Sequence, residues 1–352
     1  MAVKTKAIKA TKETDYAYAV AYMRTLENKM LGRADFEILL NANSAEDILK
    51  YLSDKGYGNK NAGANAKTGQ NPDSTEIIET IEKILKAELA YTWNEIKNAC
   101  PEDAPVNILI YQNDFHNLKA ILKSVFSNNV NYENLMLEPY TVAPDIIHHA
   151  IANGKPETLP DIFKESAIEA YNILARDDDG QLAEIILDKA LFALMKDIAK
   201  QSKNSFLIDW VELNIAVMNM KIALRGAYGG KSREFLRNAM LECRKISVDY
   251  LSEAAVKDVS DGSDVLRVFK ESGFEEAAKA AKESVGEFEK WCDNEIIRYL
   301  QPTKFKTFGF EPVLGFLVGK EFELQAARIV LSGIRSGIPK QKLRERLRDL
   351  YV

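Results

Sequence analysis

Two segment patterns alternate along this chain and constrain its fold more than any single motif does. The first is Asn117-Leu-Lys-Ala-Ile-Leu-Lys-Ser124, which recurs as Asn219-Met-Lys-Ile-Ala-Leu-Arg-Gly226 and as Ala326-Ala-Arg-Ile-Val-Leu-Ser-Gly333. Each copy has a cation in third place (Lys119, Lys221, Arg328), a leucine three later and a small residue two after that. A further leucine (Leu135, Leu236, Leu343) lies 16, 15 and 15 residues beyond the cation. A looser fourth copy stands near the start, with Arg24 in Tyr-Met-Arg-Thr-Leu26 and Leu39 15 residues on. The second pattern is Asp47-Ile-Leu ending at Gly56, matched by Asp145-Ile-Ile to Gly154 and Asp264-Val-Leu to Gly273. Its physics is that of a two-turn helix, with an acid against the positive N-terminal dipole and a glycine free to take left-handed φ at the stop.

Amphipathic helices resemble one another, so either pattern alone is weak. Both in the same alternating order, with cations stepping by 95, 102 and 107 residues, predict repetition. The chain reads as three related helical units: 1–128 with an N-terminal half-motif helix, 129–230 and 231–352. Units this large need not stack as a solenoid. The expectation is three units around a pseudo-threefold axis, forming a funnel or ring with a central opening.

Periodicity makes the fold class all-α. Thr75–Ala99 sets Ile77, Ile78, Ile81, Ile84, Leu85, Leu89 and Ile96 on one stripe. Further stripes cover Ile162–Leu174, Leu182–Ile198, Leu207–Leu224, Glu234–Leu251 and Phe322–Ile334, and a last, cation-rich helix is predicted over Lys340–Leu350. Val106–Tyr111 is the best strand candidate, but it runs straight into a helical pattern. Glycine-rich Gly56–Pro72, the segment between Pro139 and Pro160, Asp177–Gly180, Ser260–Ser263 and Thr303–Gly309 read as connectors.

Composition excludes several function classes. Of 352 residues, 47 are Lys or Arg and 52 Asp or Glu, a net charge of −5 that opposes a broadly basic nucleic-acid binder. Three scattered cysteines, Cys100, Cys243 and Cys292, provide no disulfide framework. The most apolar stretch, Pro312–Gly319, falls far short of the ~18 residues that a spanning helix needs. Met1–Lys9 is basic without an apolar core, so the chain is expected in the cytoplasm, not exported and not inserted in a membrane.

Chemical motifs are decoys. Asn61-Ala-Gly-Ala-Asn-Ala-Lys-Thr68 is one glycine short of a phosphate-binding loop, with Ala66 before the Lys-Thr, and no strand precedes it. His148 and His149 diverge by ~100° on a helix, too far to share an ion. Asp177-Asp-Asp-Gly180 lacks the spacing of a calcium loop. His116, beside Asp114 and Asn117, is a candidate general base without a Ser or Cys nucleophile motif to accompany it, and an alternative reading as a hydrolase using the His116 and Asp114 pair requires a closed apolar pocket around His116. Another alternative is a soluble helical scaffold. The expectation is no catalytic residue, no cofactor and no metal site. Lys119, Lys221 and Arg328 are the candidate partner-binding residues, a polar ring around an inserted partner if the pseudo-symmetry converges them. Taken singly, each also fits a snorkelling surface cation.

Three segments carry a family resemblance: Tyr16–Leu31, Asp114-Phe-His-Asn-Leu-Lys-Ala-Ile-Leu-Lys123 and Glu311-Pro-Val-Leu-Gly-Phe-Leu-Val-Gly-Lys-Glu321. Together with the ending Arg344-Glu-Arg-Leu-Arg-Asp-Leu-Tyr-Val352, they resemble the C subunit of V/A-type rotary ATPases, the counterpart of the eukaryotic d subunit. The likeness runs through nearly the whole chain, and Gly58–Gly69 departs from it. It implies a noncatalytic central-stalk funnel that receives the rotor shaft, subunits D and F, and sits on the membrane rotor ring. The whole would serve ATP-linked transport of protons or sodium, peripheral to the membrane, with ATP chemistry on other subunits.

Overall fold

A computed structural model describes residues 11–58, 74–127, 131–257 and 262–352. All its regular elements among these residues are helical: α1 (Ala17–Glu27), α2 (Arg33–Asn41), α3 (Ala45–Asp54), α4 (Ser74–Ala99), α5 (Asn107–Ser127), α6 (Pro144–Ala152), α7 (Lys164–Asp177) and α8 (Gly180–Ser202). They continue as α9 (Ser205–Tyr228), α10 (Arg233–Ala239), α11 (Val248–Lys257), α12 (Ser263–Glu271), α13 (Glu275–Glu283), α14 (Val285–Leu300), α15 (Glu311–Arg335) and α16 (Lys340–Arg346). Short 3-10 turns lie between some of them.

The described chain forms two compact units, one of Asp103–Cys292 and one joining Thr11–Glu102 to Asp293–Val352. In the first, α9 is apolar on all sides and serves as the core rod, burying Leu207, Trp210, Val211, Ile215, Met220 and Leu224. In the second, α15 has that role. Its first ten residues, Glu311 to Lys320, are all buried, and its later half packs with Phe36, Leu39, Leu40, Ile48, Leu52, Ile81 and Leu85 from α2, α3 and α4. The boundaries expected at 128/129 and 230/231 concern repeated pattern rather than compactness.

Local chemistry starts and stops these helices. Ser44, Asp179, Asn204 and Ser232 each accept an amide hydrogen bond from the first turn of α3, α8, α9 and α10. The three Asp-to-Gly segments form α3, α6 and α12 with one shared stop. Gly56, Gly154 and Gly273 have φ of 87°, 64° and 86°, and the next residue donates its amide to the carbonyl five back. Those bonds are Tyr57 to Leu52 at 2.9 Å, Lys155 to Ala150 at 2.8 Å and Phe274 to Phe269 at 2.9 Å.

Two expectations need correction. The stripe over Glu234–Leu251 is not one helix: α10 ends at Ala239 and the chain is non-helical until Val248. No glycine or proline marks that break; side chains of α9 impose it. The helix expected over Lys340–Leu350 ends at Arg346. Beyond it Asn294 Oδ1 takes the Asp349 amide at 2.8 Å, Gln301 donates to the Leu350 carbonyl at 2.9 Å and Arg348 pairs with Asp293 at 2.9 Å. These partners outside the helix hold the tail uncoiled. The phosphate-loop decoy Asn61–Thr68 lies outside the described residues.

Candidate functional site

The Asp114-to-Lys119 stretch of α5 is a clamp on the chain that follows it. Asp114 accepts the Thr141 amide at 2.8 Å, the Thr141 hydroxyl at 2.5 Å and the Val142 amide at 3.3 Å. Asn117 closes both main-chain groups of Leu137, accepting its amide at 2.8 Å and donating to its carbonyl at 3.0 Å. Asn113 donates to the Pro139 carbonyl at 3.0 Å, and the His116 ring meets the Leu135 carbonyl at 3.1 Å. Extended main chain has no internal partners, so these side chains satisfy it. Burial pushes the Asp114 carboxyl above its usual range, against three hydrogen bonds that favour its ionised form.

The same device recurs on α9. Asn219 accepts the Leu241 amide at 3.0 Å and donates to the Leu241 carbonyl at 2.7 Å, while Glu212 takes the Arg244 amide at 2.6 Å. These bonds hold residues 240–247 out of helix. On α15 the place of the asparagine is taken by Ala326, and one turn earlier the buried Glu323 accepts the Leu31 amide at 3.1 Å. Glu323 also pairs with Lys320 at 3.0 Å and accepts from the Tyr57 hydroxyl. Lys320 reaches Glu88 at 3.2 Å and lies 4.3 Å from the centre of the Tyr57 ring. Desolvation holds the Glu323 carboxyl above its ordinary range despite these partners. Nothing in the residue spacing had singled out Tyr57, Lys320 or Glu323.

The three repeated cations are half-buried on their helices. Lys119 pairs with Asp188 of α8 at 2.7 Å, and Arg328 with Glu82 of α4 at 3.0 Å. Lys123, one turn past Lys119, pairs with Glu184 of α8. Lys119 and Lys221 belong to one compact unit and Arg328 to the other. Thus two of the three lie at a seam between packed helices of their own chain.

His116 and Asp114 serve different stretches of main chain and form no dyad. His148 stacks on Tyr132, ring centres 4.6 Å apart, and His149 bonds with Asn153. Asp178 takes φ of 52° and Asp179 caps α8, so the triple aspartate is a helix-to-helix turn. Among the described residues no group of three or more His, Cys, Asp or Glu is placed to hold a metal ion.

Polar side chains that fix non-helical segments to long helices, around two all-helical cores, define an all-α protein with internally clamped connections. The family described as "ATP synthase (C/AC39) subunit" matches residues 19–346, and the chain belongs to that family. Its relatives include the C subunit of the V-type sodium ATPase of Enterococcus hirae, 22% identical over 76% of this chain and 81% of the relative. The C subunit of the A-type ATP synthase of Methanocaldococcus jannaschii is 25% identical over 95% and 86%, and that of Thermococcus kodakarensis 21% over 95% and 90%. The chain is therefore a V/A-type rotary ATPase subunit of the C class, in keeping with the resemblance of its three segments.

Proposed function

We propose that this subunit is a noncatalytic coupler in the central stalk, joining the rotor shaft of subunits D and F to the membrane rotor ring. The observation that carries the reading is the family match over residues 19–346, joined to the side-chain clamps of α5 and α9. Torque must pass through such a part without loss. Long helices whose connecting segments are pinned by bidentate side-chain bonds resist the shear that loose loops would absorb. In this reading the three units 1–128, 129–230 and 231–352 surround a pseudo-threefold axis as a funnel. ATP chemistry belongs to other subunits, and the chain is held at the membrane by the ring. No helix among the described residues is long and apolar enough to cross a bilayer.

Lys119, Lys221 and Arg328 form the partner-facing ring of this proposal. The pairs of Lys119 and Arg328 are partly exposed, worth about 0–1 kcal/mol each, so a partner carboxylate can replace the internal one at small cost. The test is binding of the purified chain to a shaft complex of D and F and to a detergent-solubilised ring. Both should bind, and a chain that bound neither would overturn the reading. Charge reversal at all three cations should weaken shaft binding with little change in thermal stability. Unaltered affinity removes these residues from it.

A further inference from the structure

The clamp on α5 presents what it holds. Between Lys123 and Lys155 the sequence has no Lys or Arg at all, while Glu133, Glu138 and Asp145 are all exposed. In the same stretch four large apolar side chains face solvent: Leu135 at 45% exposure, Leu137 at 42%, Tyr140 at 41% and Ile146 at 55%. A lone exposed leucine needs no explanation, but four exposed large apolar side chains within twelve residues, on a backbone held at fixed points, concentrate apolar surface on one short segment. A free loop would turn such groups inward or stay mobile. This one cannot, because Asn113, Asp114, His116 and Asn117 hold its main chain at five successive points from Leu135 to Val142.

We infer that residues 132–146 are a preformed docking surface for a protein partner that presents apolar side chains rimmed by Lys or Arg. Rigidity lowers the ordering cost of association, the apolar side chains supply the contact area, and three exposed carboxylates on a segment without Lys or Arg favour a basic partner over an anionic surface. The assembly context rests on the reading above: the partner is a neighbouring subunit of the rotary ATPase.

The experiment adds the full chain back to the native assembly purified from cells that lack it, and titrates rebinding. Two variants are compared with the unmodified chain: Leu135→Ser/Leu137→Ser/Tyr140→Ser, and Glu133→Lys/Glu138→Lys. All five side chains are exposed, so thermal midpoints should stay near that of the unmodified chain; if the triple variant misfolds, the charge variant alone carries the test. Each should rebind about tenfold more weakly or worse, as loss of anchoring contacts does. Rebinding of the charge variant at full strength overturns the proposal while leaving the subunit reading intact. An unmodified chain that fails to rebind overturns both. Co-sedimentation with phosphatidylcholine vesicles covers the remaining occupant: vesicle binding that the triple variant loses, with rebinding to the assembly unaltered, assigns the surface to lipid and overturns the proposal as well.

Discussion

Leu343 rests directly on Gly333, so closely that a Cβ built on that glycine would collide with its side chain. Gly226 and Leu236 stand in the same relationship. The small residue at the end of the repeated helix and the leucine that follows it are therefore two halves of one contact. Its purpose is to fold α10 back on α9 and α16 back on α15. Serine replaces glycine in the first copy, and there Leu135 is exposed in a 3-10 turn.

Substituting either glycine by alanine separates this packing from helix propensity. Alanine in a helix interior is worth about 1 kcal/mol more than glycine, whereas overpacking a tight core costs about 1–3 kcal/mol. The collision should win, and more so at Gly333, where the Leu343 Cγ itself lies 2.8 Å from the built Cβ, against 3.3 Å for Leu236 at Gly226. Denaturant titration should show Gly333→Ala less stable than Gly226→Ala, and both less stable than the unmodified chain. In a Leu343→Ala background, Gly333→Ala should turn neutral or stabilising.

The asparagine clamps predict a local loss of protection. Asn117→Ala leaves the Leu137 amide and carbonyl without their side-chain partner, and Asn219→Ala does the same to Leu241. Leu241 is buried and Leu137 exposed, so water can replace the lost bonds only at Leu137. Asn219→Ala should cost about 2–3 kcal/mol, and Asn117→Ala at most about 1 kcal/mol. Hydrogen exchange should quicken at the Leu137 and Leu241 amides respectively while the helix interiors keep their protection. Equal stability losses would contradict the argument from burial.

Lys320, 2% exposed, is paired with Glu323, 1% exposed, and both reach Tyr57. Removing Lys320 strands the buried Glu323, whereas Lys320 keeps Glu88 at 3.2 Å when Glu323 is removed. Lys320→Met should destabilise by about 3–5 kcal/mol, the usual cost of an uncompensated buried ion, and adding Glu323→Met should recover most of it. The urea midpoints of the two single variants and the double one check this. A double variant as unstable as the sum of its singles would show that the pair does not act as a unit.

Helix positions were legible because their apolar periodicity is dictated by the cores they enter, as Ile77, Ile81 and Leu85 of α4 illustrate. The stops of α3, α6 and α12 were legible because only glycine takes φ near 64–87° without strain. The break after Ala239 was hidden: its residues are helix-compatible, and the side chains that hold it open, Asn219 and Glu212, lie 20 or more residues earlier. Asn117 and Asn219 did stand in equivalent places two before the repeated cation. The cation is conspicuous in a sequence because it is charged, whereas a bidentate amide declares itself only beside the backbone it serves. Glu323, Lys320 and Tyr57 were hidden for the same reason, since 263 or more residues separate Tyr57 from its partners.

Glu321 provides a pH-dependent signature for the α15 region. Desolvation raises its carboxyl from 4.5 to about 7, with the Trp93 indole as the one opposing influence, and that indole N–H has no well-aligned hydrogen-bond acceptor among the described residues. At pH below 4.5 the side chain is protonated whether the chain is folded or not, and this group's favourable contribution is fully present. As pH rises from 4.5 to 7, the unfolded chain ionises first, so folding loses stability through that window and recovers none of it above 7. The loss amounts to at most about 3 kcal/mol. Glu321→Gln should abolish this part of the pH dependence: the gap in unfolding free energy between variant and unmodified chain should move in favour of the variant between pH 4.5 and 8. Denaturant titrations at those two values measure it, and curves that stay parallel for the two proteins would show that Glu321 ionises as freely in the folded chain as in water.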